Sequence, residues 1–86
     1  MYETTIKLTS TVLKKGKPDI KSVSATSVSA EGKKIFLLSN SKRDFDRMRF
    51  TIGPGCIIED CDGVYNCTNV IYTSHPKHPI LTAESA

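Results

Sequence analysis

The sequence predicts a mainly β fold (α+β at most), namely a small antiparallel barrel or sandwich of about five strands with one short helix. Residues 2–13 alternate between two faces, β-branched runs follow one another between glycine-containing turns, and an Asp-Gly pair separates two apolar segments. A chain of 86 residues has material for one core. We therefore expect one β-rich domain over residues 1–74 and a Pro/His-containing tail over residues 75–86, too rich in proline for regular structure.

The first predicted strand covers residues 2–13. One of its faces holds Tyr2, Thr4, Ile6, Leu8, Ser10 and Val12. A period of two with many β-branched residues is typical of a half-buried strand. Gly16 and Pro18 then end the pattern, because glycine permits a positive φ and proline donates no ladder hydrogen bond.

Residues 20–30 predict a second strand, although their Ser/Ala/Thr content is also compatible with a flexible loop. Val23 and Val28 have opposite parity, so we expect a bulge near residues 25–26 or a split into two strands. The strand is favoured because a Glu-Gly turn follows it. Residues 35–38 then predict a short strand that is buried on both faces.

One short helix is predicted over residues 42–49. Ser41 is followed three residues later by Asp44, which is the pattern of a capping box. Phe45 and Met48 are three apart and form one apolar stripe.

A hairpin is predicted near the C-terminus, where residues 56–59 and 64–72 flank Asp62-Gly63, a pair favoured in two-residue turns. With that turn centre, the predicted pairs are Cys61–Val64, Glu59–Asn66 and Ile58–Cys67. The run over residues 55–65, closing on Val-Ile-Tyr at 70–72, resembles the hairpin of small bacteriophage head–tail joining barrels. The resemblance implies a bacteriophage adaptor-type structural protein, but it covers less than a third of the chain and we assign no family from it.

The pattern of cysteines argues against a metal site, and no cofactor is predicted. Cys56, Cys61 and Cys67 are five and six residues apart, unlike the two-residue gap of zinc knuckles. In the predicted register Cys56 and Cys67 are diagonal neighbours and Cys61 lies on the other face. We find no catalytic motif and predict that the chain is not an enzyme. Residues 1–5 lack the features of a signal peptide and the cysteine count is odd, so we expect a cytoplasmic protein.

Charged residues provide the candidate binding sites. The net charge is +3, but its distribution is uneven and suggests a polarised surface. The basic candidates belong to the predicted helix and its end: Lys42, Arg43, Arg47 and Arg49. The acidic candidates belong to the hairpin: Glu59, Asp60 and Asp62.

These patterns favour a small non-enzymatic protein–protein interaction or assembly module. The alternative is a nucleic-acid-binding barrel that uses the basic helix together with Lys33 and Lys34. The longest apolar run has four residues, so no membrane partner is expected. A homodimer is also possible if the first strand leaves an open edge, since Lys7 is the one lysine within its 2–13 span and gives weak protection against pairing.

Overall fold

The computed structural model of the chain describes residues 2–86, which form a closed antiparallel barrel of six strands with one short helix. The predicted mainly β fold and short helix are confirmed, with one strand more than expected. The elements are β1 (Tyr2–Lys14), β2 (Lys17–Ala30), β3 (Lys33–Leu38), α1 (Lys42–Arg47), β4 (Ile57–Asp60), β5 (Gly63–Tyr72) and β6 (Pro79–Ser85). Around the barrel the order is β1-β2-β3-β6-β5-β4, and β4 returns to β1.

Strands β1 and β2 follow the predicted alternation. Ile6, Leu8 and Ser10 are buried on the inner face of β1. The pairing of β2 with its neighbours runs without a register shift from Ile20 to Ala30, so the predicted bulge or split near residues 25–26 is wrong. The two valines of β2 do point to opposite sides, because the outer side of a barrel tolerates an exposed valine.

Strand β3 is buried on one face only. Phe36 and Leu38 point inward and are buried, whereas Leu37 is exposed. The expectation that residues 35–38 are buried on both faces is therefore wrong. A barrel has one interior, and in the residues that the structure describes no second layer covers the outside of β3.

Helix α1 begins with the predicted capping box. The Asp44 backbone N–H donates to Ser41 Oγ at 3.3 Å, and the Ser41 N–H donates to Asp44 Oδ2 at 2.9 Å. The helix ends at Arg47, two residues earlier than predicted, because Arg49 adopts a positive φ of 55°. Phe45 is buried, which anchors the helix to the core.

The β4–β5 hairpin turns one residue earlier than predicted, which shifts the cross-strand register by two residues. Asp60 pairs with Gly63, so Cys61 and Asp62 form the turn. Asp60 Oδ1 accepts the backbone N–H groups of Asp62 at 2.8 Å and Gly63 at 3.1 Å, which fixes the turn at this position. The predicted register is therefore wrong by two residues, and the observed pairs are Glu59–Val64, Ile58–Tyr65 and Ile57–Asn66.

The predicted C-terminal tail contains a strand of the barrel. Strand β6 pairs with β3 on one side and β5 on the other, and its Leu81 and Ala83 are fully buried. The expectation of an irregular tail over residues 75–86 is therefore wrong. Pro79 is the first residue of β6, where the missing N–H is tolerated, so the prolines precede the strand instead of breaking it.

Strand β1 has neighbours on both sides at its centre. Residues 7–9 pair with β2 on one side and with β4 on the other. Thr9, for example, lies opposite both Ile20 and Ile57. The open edge on which the homodimer was predicted is therefore absent at this part of the strand.

Candidate functional site

The strand directions place the charged residues at two ends of the barrel. Strands β1, β3 and β5 run toward the end that carries the β1–β2 turn, α1 and the β5–β6 connection, which we call the basic end. The other end carries the β2–β3 and β4–β5 turns and the last residues of β6, and we call it the acidic end. The predicted basic and acidic groups therefore lie at opposite ends of one barrel.

Helix α1 positions the four basic candidates at the basic end. Lys42 Nζ lies 2.8 Å from Asp46 Oδ2, and this hydrogen bond raises the pKa of the lysine. Arg43, Arg47 and Arg49 are exposed, although Arg49 follows the helix and is not on it. The cap uses Asp44, whose pKa is lowered by the backbone hydrogen bond from the N-cap residue. All four basic side chains of this predicted site thus face solvent, and Lys42 is paired with Asp46.

The acidic candidates do not form one surface. The Asp60 side chain is 1% exposed, and its Oδ2 lies 2.5 Å from Nζ of Lys34, which is 6% exposed. Asp62 Oδ2 lies 2.9 Å from the same ammonium. Glu59 is exposed on the outside of the barrel. Asp60 is therefore a structural residue and cannot contact a partner, while Glu59 and much of Asp62 remain accessible.

Lys34 is a buried cation that the charge pattern did not reveal. Burial alone would lower its pKa, but the hydrogen bonds to Asp60 and Asp62 outweigh burial and raise the pKa above its ordinary value. The ammonium also lies 5.6 Å from the ring centre of Phe36 and 5.2 Å from that of Tyr65. The sequence contains one indication of this burial, because alternation along β3 places Lys34 on the same inner face as Phe36. Lys34 is thereby removed from any nucleic-acid surface.

A two-stranded arm with exposed aliphatic side chains lies at the basic end, and none of the binding residues predicted from the sequence belongs to it. The arm comprises residues 11–21 of β1 and β2 with their turn, and at its base Ile20 and Lys21 pair with Thr9 and Leu8 of the barrel wall. Leu13 pairs with Pro18, and Leu13 and Ile20 are 62% and 56% exposed. Since paired residues share a face and parity alternates, Leu13, Pro18 and Ile20 lie on one side of the arm. The alternation of side chains along β1 and β2 places Leu13 and Ile20 on the outward face, and this pattern could have identified them from the sequence.

The opposite side of the arm is charged. Lys14 pairs with Lys17, and Lys14 Nζ lies 3.2 Å from Asp19 Oδ2. Lys15 and Lys21 add two more positive charges to the arm. The arm therefore combines an apolar face with a basic one.

The cysteines lie differently from the prediction. Cys56 and Cys67 are both buried, and the Cys67 N–H donates to the Cys56 carbonyl at 2.8 Å. They are therefore cross-strand neighbours, and the predicted diagonal placement is wrong. Burial raises the pKa of the Cys67 thiol to about 11. Cys61 is exposed in the turn.

Among residues 2–86, no three histidine, cysteine, aspartate or glutamate side chains lie close enough to hold a metal ion. Over the same residues, no helix has the length and apolar character needed to cross a membrane. No family model, curated protein or solved structure matches the chain. The resemblance of residues 55–72 to bacteriophage hairpins accordingly stays a prediction.

Proposed function

We propose that the chain is a non-enzymatic protein–protein interaction or assembly module that binds through its basic end. The observation that carries the proposal is the β1–β2 arm, on which Leu13 and Ile20 are both more than half exposed. By contrast, Ile6, Leu8 and the other inward-facing residues of the same two strands are buried in the hydrophobic core. Exposure of two large aliphatic side chains to water on one face of this hairpin is unfavourable, and their burial against a partner would lower the free energy.

The charge around the arm supports a protein partner with an acidic rim. Lys14, Lys15 and Lys17 surround the tip, and Arg43 and Arg47 are exposed at the same end of the barrel. Protein interfaces commonly place apolar side chains at the centre and polar groups at the rim. Rim charges of one sign mainly set association rate and partner choice.

An affinity pull-down from the source cell tests the proposal. We expect wild-type protein to retain a partner that Leu13→Ser/Ile20→Ser loses, and that the charge reversal Arg43→Glu/Arg47→Glu weakens. The matched control is Val28→Ser/Leu37→Ser, which removes two exposed aliphatic side chains from the outer wall of β2 and β3. Equal recovery by wild type and the arm variant would contradict the proposal.

Nucleic-acid binding is the second candidate, and the lysines of the arm are the observation that favours it. The major groove of DNA admits a two-stranded β-ribbon, and this ribbon has lysines at positions 14, 15, 17 and 21. Lys33 and Lys34 do not contribute, since one is at the acidic end and the other is buried. Binding of this kind weakens steeply with salt. A mobility-shift titration that shows no complex at low salt would reject it.

A further inference from the structure

The two ends of the barrel carry opposite charges, and we infer that they bind one another between copies of this chain, head to tail. This inference rests on the proposed function as an assembly module and names a second copy as the partner. The acidic end has six carboxylates against two lysines: Glu3, Glu31, Glu59, Asp60, Asp62 and Glu84 against Lys33 and Lys34. The basic end has nine cations against three aspartates: Lys14, Lys15, Lys17, Lys21, Lys42, Arg43, Arg47, Arg49 and Lys77 against Asp19, Asp44 and Asp46.

The separation of charge between the two ends favours a head-to-tail contact over a symmetric end-to-end contact. Lys7, in the middle of β1, is counted with neither end and lies opposite Glu59 of β4. A symmetric end-to-end dimer would place like charges together, and repulsion opposes it within a Debye length of about 8–10 Å. A head-to-tail contact places the basic end of one copy against the acidic end of the next, where the two fields attract.

Both ends also offer apolar contact beside the charges. At the basic end, Leu13 and Ile20 lie next to the arm lysines. At the acidic end, Val64 is 42% exposed and pairs across β4–β5 with the exposed Glu59. Glu31 is exposed in the β2–β3 turn at the same end of the barrel. Apolar contact with a charged rim of opposite sign is therefore available on the two surfaces that would meet.

A contact between two different surfaces leaves one unused surface on each terminal copy. Such heterologous contacts build closed rings or open chains, and they do not stop at a dimer unless geometry closes it. The mass of the wild-type assembly should rise with protein concentration and fall with salt.

Sedimentation velocity with complementary charge reversals tests the inference. One variant, Lys15→Glu/Lys17→Glu, disables the arm and keeps the acidic end. The other, Glu31→Lys/Glu59→Lys, disables the acidic end and keeps the arm. We expect each variant alone to sediment as the 9.5 kDa monomer. An equimolar mixture should assemble again, because an intact arm meets an intact acidic end and the reversed arm also meets the reversed acidic end with opposite charge.

Lys33→Glu is the control, because it changes the charge in the same sense as each arm reversal but at the acidic end. It should preserve or strengthen assembly, with circular dichroism confirming that all variants fold. Wild-type protein that remains monomeric at about 1 mM, or a mixture that does not assemble, would overturn the inference. If the pull-down still retrieved an arm-dependent partner, self-assembly alone would be wrong and the proposed function would stand.

Discussion

Lys34 and Asp60 form an ion pair inside the barrel, with 2.5 Å between Nζ and Oδ2 and no more than 6% exposure of either side chain. The two residues lie 26 positions apart in sequence. Lys34 comes from β3 and Asp60 from the end of β4, so their contact crosses the interior at the acidic end. The aromatic rings of Phe36 and Tyr65 lie beside the ammonium.

Removing the cation should destabilise the protein strongly. Lys34→Met leaves the buried Asp60 carboxylate without its partner, and losses of about 3–5 kcal/mol in the free energy of unfolding are typical of that change. Lys34→Met/Asp60→Asn should recover most of the loss, because the amide keeps an oxygen for the turn hydrogen bonds without a charge. Urea unfolding measures both variants.

Lys33→Met serves as the control for that prediction. Lys33 Nζ lies 3.9 Å from Glu84 Oε1 with both side chains about half exposed, so its loss should cost less than about 1 kcal/mol. Similar unfolding free energies for Lys33→Met and Lys34→Met would show that the buried pair does not stabilise the fold.

Local patterns were sufficient for part of the fold. The alternation in β1 and the capping box at Ser41 each depend on residues close in sequence, and both were predicted correctly. The turn of the β4–β5 hairpin was misplaced because the side chain of Asp60 sets it. The β6 strand was missed because its pairing with β3 bridges more than 40 residues and its inner positions include Pro79 and Ala83.

For the candidate site, the sequence predicted the sign of the charge on each surface but not which side chains are exposed. The arginines of α1 and the polarity of the surface followed from composition along the chain. The internal use of Asp60 did not, because a carboxylate next to a turn is usually solvated and its partner Lys34 is distant in sequence. The alternation of β1 places Leu13 on the outward face, but the length of the arm beyond the pairing with β4 is set by contacts that no local pattern specifies.

The capping box predicts a measurable contribution to stability. Ser41→Ala removes the oxygen that accepts the Asp44 N–H, and such changes cost about 0.5–2 kcal/mol. We expect a lower urea midpoint with an unchanged slope, since the helix anchors Phe45 over the core. Ser39→Ala, at a nearby exposed position, should have little effect. A cost as small as that of the control would contradict this role of the cap.

Thiol labelling should separate one cysteine from the other two. Cys61 is exposed in a turn, whereas Cys56 and Cys67 are buried. We expect a maleimide to modify Cys61 in the native protein and the remaining two only after unfolding. Mass spectrometry of the time course gives the number of adducts, and Cys61→Ala should abolish the fast phase. Two fast adducts in wild-type protein would disprove the placement of the buried pair.

The pKa of Cys67 predicts how stability depends on alkaline pH. Burial raises this pKa from 9.0 to about 11, so the folded state holds its proton at a pH where the unfolded state has lost it. The contribution to stability is complete below about pH 9 and is lost as the pH rises toward about 11. The free energy of unfolding should therefore fall over this window, and fall less steeply in Cys67→Ala. Cys61→Ala should keep the wild-type slope, and parallel curves for all three proteins would reject the assignment.

Strand β6 should be indispensable for folding, although the sequence suggested a dispensable tail. It forms backbone pairs with both β3 and β5 and buries Leu81 and Ala83, so a chain ending at residue 74 loses one wall of the barrel. We expect that chain to show no cooperative unfolding transition by circular dichroism. A chain that lacks only Ala86 keeps all of β6 and should fold.

Two further measurements test whether the shortened chain fails to fold because it lacks the packing and pairing of β6. Leu81→Ala in the full chain should cost about 2–5 kcal/mol, because it opens a cavity at a fully buried position. A synthetic peptide of residues 75–86 should restore a cooperative transition to the shortened chain, since the strand it supplies completes two ladders. A shortened chain that unfolds cooperatively without the peptide would show that the barrel closes without β6.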